Sequence, residues 1–270
     1  MEIVDAHQHV GSLGDALSWN GSPGRPDVAP EQDASQRAAL MDKAGIDWAL
    51  LQPSHGYPRT DGLRSTMRVN ETMGTYKRLL PHRFRAVLGT VEPLYGEQGL
   101  PEIDRCKTEL NLDGLAWHHR FQGCYIDSRW MWPILERMRA LHMVPAIHVN
   151  AESSLEAPWR LQRLARAFPD LTFLAFDGFW SYERARQILD TASQTTNVIW
   201  DIGGPANYAG LEEWIGRNGS ETICFSAELG YDTGEAQRPK LLSQIERAKI
   251  SDRDRENILG RNLRRLFRME

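Results

Sequence analysis

Residues 5–11 read "DAHQHVG", directly after the apolar pair Ile3 and Val4. An extended segment sends residues i and i+2 to one face, so the imidazoles of His7 and His9 project together and can grip one object. A metal ion is the natural candidate, because neutral imidazole is a common metal ligand. With eight histidines in 270 residues, chance alone supplies about 0.24 such pairs, so the pair gains weight only from what stands downstream.

Outward from this stretch, short apolar or β-branched runs alternate with helical patterns at a steady spacing. Eight strands are predicted, over 2–8, 46–52, 84–91, 112–118, 143–149, 171–177, 197–202 and 221–227. Between them, 128–142 carries Met131, Ile134, Leu135, Met138 and Leu141 on one helical face, with Asp127 and Ser128 expected as its N-cap. Residues 155–168 do the same with Leu161, Leu164 and Ala165, and Pro169 stops the run. Strand and helix in alternation imply βαβ units and a parallel sheet with right-handed crossovers. Eight units in this length predict a (β/α)₈ TIM barrel, a single domain over 1–270. The competing architecture is a doubly wound open sheet, which usually carries a G-x-G-x-x-G phosphate loop after its first strand; "HQHVGSLGD" lacks that spacing. The long first loop, 11–30, is rich in Gly, Pro and Ser and is expected at the C-terminal face of the first strand, where barrel enzymes do chemistry and where a lid belongs.

Composition narrows the function classes. A hydrophobic content of 41% suits a sizeable core, and a net charge of −4 without a long basic block points away from nucleic acid. No apolar run reaches membrane-spanning length, and the first residues carry no charged segment followed by an apolar one. The three cysteines, Cys106, Cys124 and Cys224, have no C-x-x-C spacing; neither a disulfide scaffold nor a zinc knuckle is expected, and a reducing cytoplasm fits. Of the nine tryptophans, Trp19, Trp117, Trp180 and Trp200 fall near predicted strand ends or in loops, where core packing competes with aromatic walls around a substrate. The basic "GRNLRRLFR" near the C-terminus reads as an amphipathic helix with a solvated Arg face, which could also serve as an interface in a homodimer or larger homo-oligomer.

If the barrel holds, the polar groups cluster at strand ends. His7 and His9 end the first strand, and Ser54, His55 and Tyr57 follow the second. His118, His119 and Arg120 follow the fourth, and His148 ends the fifth. Asp177 and Trp180 follow the sixth, and Glu228 the eighth. His82 and His142 fall at helix ends and read as surface or capping residues.

These features, with "VNETMGTYKRLLPHRFRAVLGTVEP" (69–93), "LDGLAWHHRFQGCYIDSRWMWPILERMRALHMVPAIHVN" (112–150), "LARAFPDLTFLAFDG" (164–178) and "ILGRNLRRLF" (258–267), resemble the amidohydrolase superfamily across nearly the whole chain. The branch in question holds lactonases of aromatic degradation and non-oxidative decarboxylases such as aminocarboxymuconate semialdehyde decarboxylase. The resemblance implies that His7, His9 and His148 are metal ligands for a divalent ion, zinc first and manganese second, with metal-free relatives in the same branch as the contrasting case. Where the family usually carries "FGSD" after its last strand, this chain has "FSAE", so Glu228 takes the place of the metal-binding, proton-moving aspartate, its carboxylate displaced by about 1.5 Å. Where the family has histidine before a glycine after strand six, this chain has Asp177 before Gly178, as ligand, as water-orienting base or as a turn residue.

Two reaction classes follow. In the first, metal-activated water cleaves a lactone or amide of a small organic acid, and Glu228 or Asp177 carries the proton to the leaving group. In the second, the same site decarboxylates an aromatic or enoic acid, with a carboxylic acid protonating the carbon. A metal-free ligand-binding or lactonase relative is the third reading. In each the partner is a small carboxylate-bearing molecule, for which His118 and Arg120 are expected as binders, Arg120 through its forked guanidinium. His55 and Trp180 are further expected pocket residues.

Overall fold

The computed structural model describes residues 1–11, 29–179, 182–203, 210–227 and 234–269. Each predicted strand forms. In chain order the elements are β1 (Val4–Val10), α1 (Pro30–Ala44), β2 (Trp48–Pro53), α2 (Leu63–Leu79), β3 (Ala86–Gly89), α3 (Leu100–Thr108) and β4 (Gly114–Trp117). There follow α4 (His119–Gln122), α5 (Met131–Ala140), β5 (Val144–His148), α6 (Pro158–Ala167), β6 (Phe173–Phe176), α7 (Tyr182–Ala192) and β7 (Val198–Asp201). The last are α8 (Leu211–Asn218), β8 (Ile223–Cys224), α9 (Gly234–Arg247), α10 (Asp252–Glu256) and α11 (Asn262–Leu266). The strands run in the order β1 to β8, neighbours parallel. Ala6 N donates to Phe225 O at 3.1 Å, linking the first strand to the segment after the last. The architecture is the (β/α)₈ barrel, not the open sheet.

Alternation along the strands sorts the core into two layers. Val4, Ala6, Trp48, Leu50, Ala86, Leu88, Ala116, Val144, Ala146, Leu174, Phe176 and Ile199 fill the barrel, while Ala49, Leu51, Val87, Leu115, Trp117 and Ile147 face the surrounding helices. Leu263 of α11 joins the inner layer, with Leu266 and Phe267 packed against it, while Ile258 and Leu259 at the start of "ILGRNLRRLF" join the outer layer and Arg261 and Arg265 stay exposed. Gly114 admits the close approach of β4 to β5: a Cβ there would stand 2.1 Å from the Val144 carbonyl oxygen.

Two expectations at helix starts are corrected. The helix expected over 155–168 begins at Pro158, whose fixed φ suits a first helical position and holds Ala157 extended at ψ 134°, so Glu156 lies in the preceding loop. The N-cap of α5 is Trp130, with no side-chain cap. Asp127 accepts instead from Arg160 and Arg163, at 2.7 and 3.1 Å, two charge-assisted bonds that outcompete a cap. His82 and His142 are exposed, His142 at φ 53°. Most of the first loop, 12–28, lies outside the described residues. Among those described, no helix is long and apolar enough to cross a membrane.

Candidate metal centre

Strict alternation from Val4 and Ala6 would send His7 and His9 out of the barrel. A bulge prevents this: β1 pairs Asp5 with Ala49 but Gln8 with Leu51, three residues against two. The extra residue reverses the facing. Gln8 then meets Arg37 of α1 at 3.2 Å, and His7 and His9 turn into the mouth. Asp5 holds the bulge by accepting from His7 N (3.2 Å), Gln8 Nε2 (2.9 Å) and Ala227 N (2.8 Å). No bulge is needed for His148, which continues the inward row Val144, Ala146 along β5, or for His118, which continues Gly114, Ala116 along β4.

The three imidazoles expected to converge do so. His7 Nε2 lies 2.9 Å from His9 Nε2 and 3.2 Å from His148 Nε2. Each ring is fixed from behind by an oxygen that can only accept. His7 Nδ1 donates to Asp201 (3.0 Å), His9 Nδ1 to the Pro53 carbonyl (3.2 Å), and His148 Nδ1 to the Trp117 carbonyl (2.8 Å). With the proton on Nδ1, the Nε2 lone pairs point to a common place. Nitrogens bound to one ion at about 2.0–2.1 Å would stand roughly 2.8–3.4 Å apart at tetrahedral to octahedral angles, so the spacing and the donor type both fit a divalent cation. Burial first, then the neighbouring imidazoles, hold His9 and His148 well below the ordinary histidine range, which keeps them in the ligating neutral form. Phe176 forms the floor, its ring 4.4 Å from His7 and 5.0 Å from His148.

Around this triad stand the other candidates. Asp177 follows β6 at φ 64°, a left-handed conformation that turns its carboxylate off the strand's outward row. Its oxygens lie 3.9 Å from His7 Nδ1 and 3.9 Å from His118 Nε2, and it forms with His118 and His148 a second group able to hold a metal ion. The His118 ring stacks on His148 at 4.3 Å, nearly parallel at 2°, and its Nε2 accepts from the Arg120 guanidinium at 3.0 Å. His55 is buried, its ring 5.3 Å from that of His148, and burial followed by the neighbouring imidazoles lowers its pKa and that of His118. Trp180 and Glu228 lie outside the described residues.

Two site residues escaped the sequence. Asp201, fully buried at the end of β7, takes His7 Nδ1, Ser226 Oγ (3.1 Å) and Asp177 N (3.2 Å); burial raises its pKa, the His7 contact opposes the rise, and the Asp177 charge adds to it. The strand-end rule that found the histidines applies to it equally. Glu156, in the loop before α6, accepts from His118 Nδ1 at 2.5 Å and Arg120 N at 3.0 Å, and burial pushes its pKa up to about 7. No spacing rule points to it. The remaining rim groups are structural: Tyr57 donates to Glu92 at 2.5 Å, and His119 is buried and held near a pKa of about 3. Cys124, beside His119 at 3.5 Å, is pushed by burial up to about 12, which makes it a poor nucleophile.

Fold and site together define a (β/α)₈ barrel whose C-terminal mouth carries an imidazole triad able to hold a divalent cation. The chain belongs to the amidohydrolase family, whose model matches residues 4–269. Among solved structures, the chain is similar to 5-carboxyvanillate decarboxylase from Sphingomonas paucimobilis, with a TM-score of 0.75 and 20% identity over 100% of this chain and 99% of that one. It is similar to dihydroxybenzoic acid decarboxylase from Polaromonas sp. JS666, which was solved with bound manganese and the inhibitor 2-nitroresorcinol (TM-score 0.73, 18% identity, 99% and 97% covered). It is also similar to 4-oxalomesaconate hydratase from Rhodopseudomonas palustris (TM-score 0.72, 16% identity, 99% and 96% covered). No curated protein sequence matches.

Proposed function

We propose that the protein is a divalent-metal-dependent, non-oxidative decarboxylase of a small aromatic or enoic carboxylic acid. The observation that carries this reading is the meeting of three Nε2 atoms at 2.9 and 3.2 Å beside a partly exposed carboxylate, Asp177. Decarboxylation is preferred to the hydrolysis put first on sequence grounds, because structural relatives over nearly full length include decarboxylases of hydroxylated benzoates. The manganese bound by one of them makes manganese at least as good a candidate as zinc.

His7, His9 and His148 would hold the ion, which when bound supplies positive charge to orient and polarise the oxygens of the substrate. Arg120 binds the anionic end of the substrate from the β4 side, its guanidinium held by the Nε2 lone pair of His118, and His55 lines the mouth between β2 and β4. Asp177 delivers a proton to the carbon that bears the carboxylate. The C–C bond then breaks, its electron pair returns to the ring or double bond, and CO₂ leaves. One proton is consumed and one CO₂ is released, with no redox step.

The test is a panel of hydroxybenzoates and enoic acids given to manganese-loaded protein in D₂O. The expected result is CO₂ release with one deuteron at the vacated carbon, lost in Asp177→Asn while metal binding persists. Cleavage of a lactone or amide, with no CO₂ from any acid, would overturn the reading in favour of hydrolysis.

A further inference from the structure

Glu156 is fully buried, yet none of the proposed chemistry uses it. Its surroundings restrict what it can be doing. A guanidinium only donates, so the 3.0 Å contact from Arg120 to His118 Nε2 makes that nitrogen the acceptor and puts the imidazole proton on Nδ1. The Nδ1–H then donates to Glu156 Oε1 at 2.5 Å, and the same oxygen accepts the Arg120 backbone N–H at 3.0 Å. The second oxygen, Oε2, lies 3.9 Å from Arg120 Nε and has no hydrogen-bond partner among the described residues. One carboxylate therefore grips both the ring of His118 and the backbone that carries Arg120.

The loop holding Glu156 is closed on itself. Ser153 N donates to Asn150 O at 3.0 Å, Glu156 N to Ser153 O at 3.1 Å, and Asn150 N to Glu156 O at 2.8 Å, while Ile126 N ties the loop to the β4 side by donating to Leu155 O at 3.1 Å. Such a frame fixes where the carboxylate points. We infer that Glu156 is a positioning residue, which sets the tautomer of His118 so that its Nε2 lone pair holds the Arg120 guanidinium as a carboxylate-receiving corner. The assignment of a carboxylate as the ligand of that corner rests on the decarboxylase reading; the positioning itself does not.

Two measurements test it. The first is the ¹⁵N imidazole spectrum of His118 in zinc-loaded protein, zinc being diamagnetic. Wild type and Glu156→Gln, which keeps an acceptor oxygen, are expected to carry the proton on Nδ1, and Glu156→Leu to shift it toward Nε2. The second is calorimetric binding of 2-hydroxybenzoate to manganese-loaded protein. Glu156→Leu is expected to weaken it tenfold or more, Arg120→Met by a similar factor, and the double variant by no more than the worse single one. Glu156→Gln is expected within about threefold of wild type. A purely structural acid predicts otherwise: removing a like charge near an anion site should leave binding unchanged or strengthen it. Retention of Nδ1–H and of binding within twofold in Glu156→Leu would overturn the inference. So would Nε2–H in the wild type, a result that needs no folded variant. If the tautomers behave as expected but wild type fails to bind 2-hydroxybenzoate, the positioning role stands and the substrate reading falls.

Discussion

Replacing Asp201 separates the support of the metal site from the support of the fold. Its carboxylate accepts three hydrogen bonds, from His7 Nδ1 at 3.0 Å, Ser226 Oγ at 3.1 Å and Asp177 N at 3.2 Å. In Asp201→Asn the amide oxygen can keep His7 or Asp177, and the amide NH₂ then faces a donor on the other side. A charge-assisted bond contributes about 1.5–3 kcal/mol and a neutral one about 0.5–1.5, so the His7 contact weakens by about 1–1.5 kcal/mol. That corresponds to roughly a tenfold loss in the affinity of the triad for its ion, the lower end of the range for losing such an orienting partner. Asp201→Ala, which removes the carboxylate behind His7 Nδ1, should lose up to about a hundredfold. The assay is competition titration of Mn²⁺ against a chelating dye, with urea unfolding of the metal-free proteins run beside it. Metal-free Asp201→Asn should stay folded with a stability loss of no more than about 1–2 kcal/mol, because relief from burying a charge offsets part of the cost of an amide NH₂ that faces a donor. Mn²⁺ affinity of Asp201→Ala within twofold of wild type would refute the idea that Asp201 orients His7 for a metal.

The other predictions concern the triad, the barrel and the buried acid. His148→Ala should abolish stoichiometric Mn²⁺ binding while far-ultraviolet circular dichroism stays unchanged; retained stoichiometry would remove His148 from the ligand set. Gly114→Ala forces a Cβ to 2.1 Å from the Val144 carbonyl oxygen and should lower stability by about 1–3 kcal/mol, read as a lower urea midpoint at constant slope. Glu156 has a folded-state pKa of about 7 against an ordinary value of 4.5, so the folded state binds more protons than the unfolded one between those values. Stability contributed by this group is therefore full below pH 4.5 and falls as pH rises toward 7, by on the order of 3 kcal/mol. Glu156→Gln should flatten that fall, and identical pH profiles for the two proteins would contradict it.

The fold was legible because it depends on a repeated feature. Each βα unit must bury a two-sided strand under an amphipathic helix, and eight apolar runs with helices such as Met131–Ala140 between them state this in composition alone. His148 and His118 were equally legible, since each prolongs the inward row of its strand by two residues. What composition does not state is the backbone exception. The N-cap expected from Asp127 and Ser128 failed because ion pairs with Arg160 and Arg163, 33 and 36 residues away in sequence, claimed the carboxylate. Glu156 was absorbed into a helix whose start Pro158 sets.

These exceptions share one location. Four of the side chains that shape the mouth owe their direction to a break in regular structure: His7 and His9 to the bulge in β1, Asp177 to its own left-handed backbone after β6, and Glu156 to a self-closed loop before α6. A regular strand end would have sent the first two outward and left Asp177 facing the helices. Local irregularity of this kind costs free energy and persists only where surrounding contacts determine it. Here Asp5 holds the bulge through three donors, and Asp201 holds both the His7 ring and the Asp177 backbone. Two buried carboxylates thus convert a generic barrel rim into a site with fixed lone pairs. Their removal should be felt in ligand geometry before it is felt in the fold, and this is the order of effects that the paired metal and urea titrations of the Asp201 variants are able to resolve.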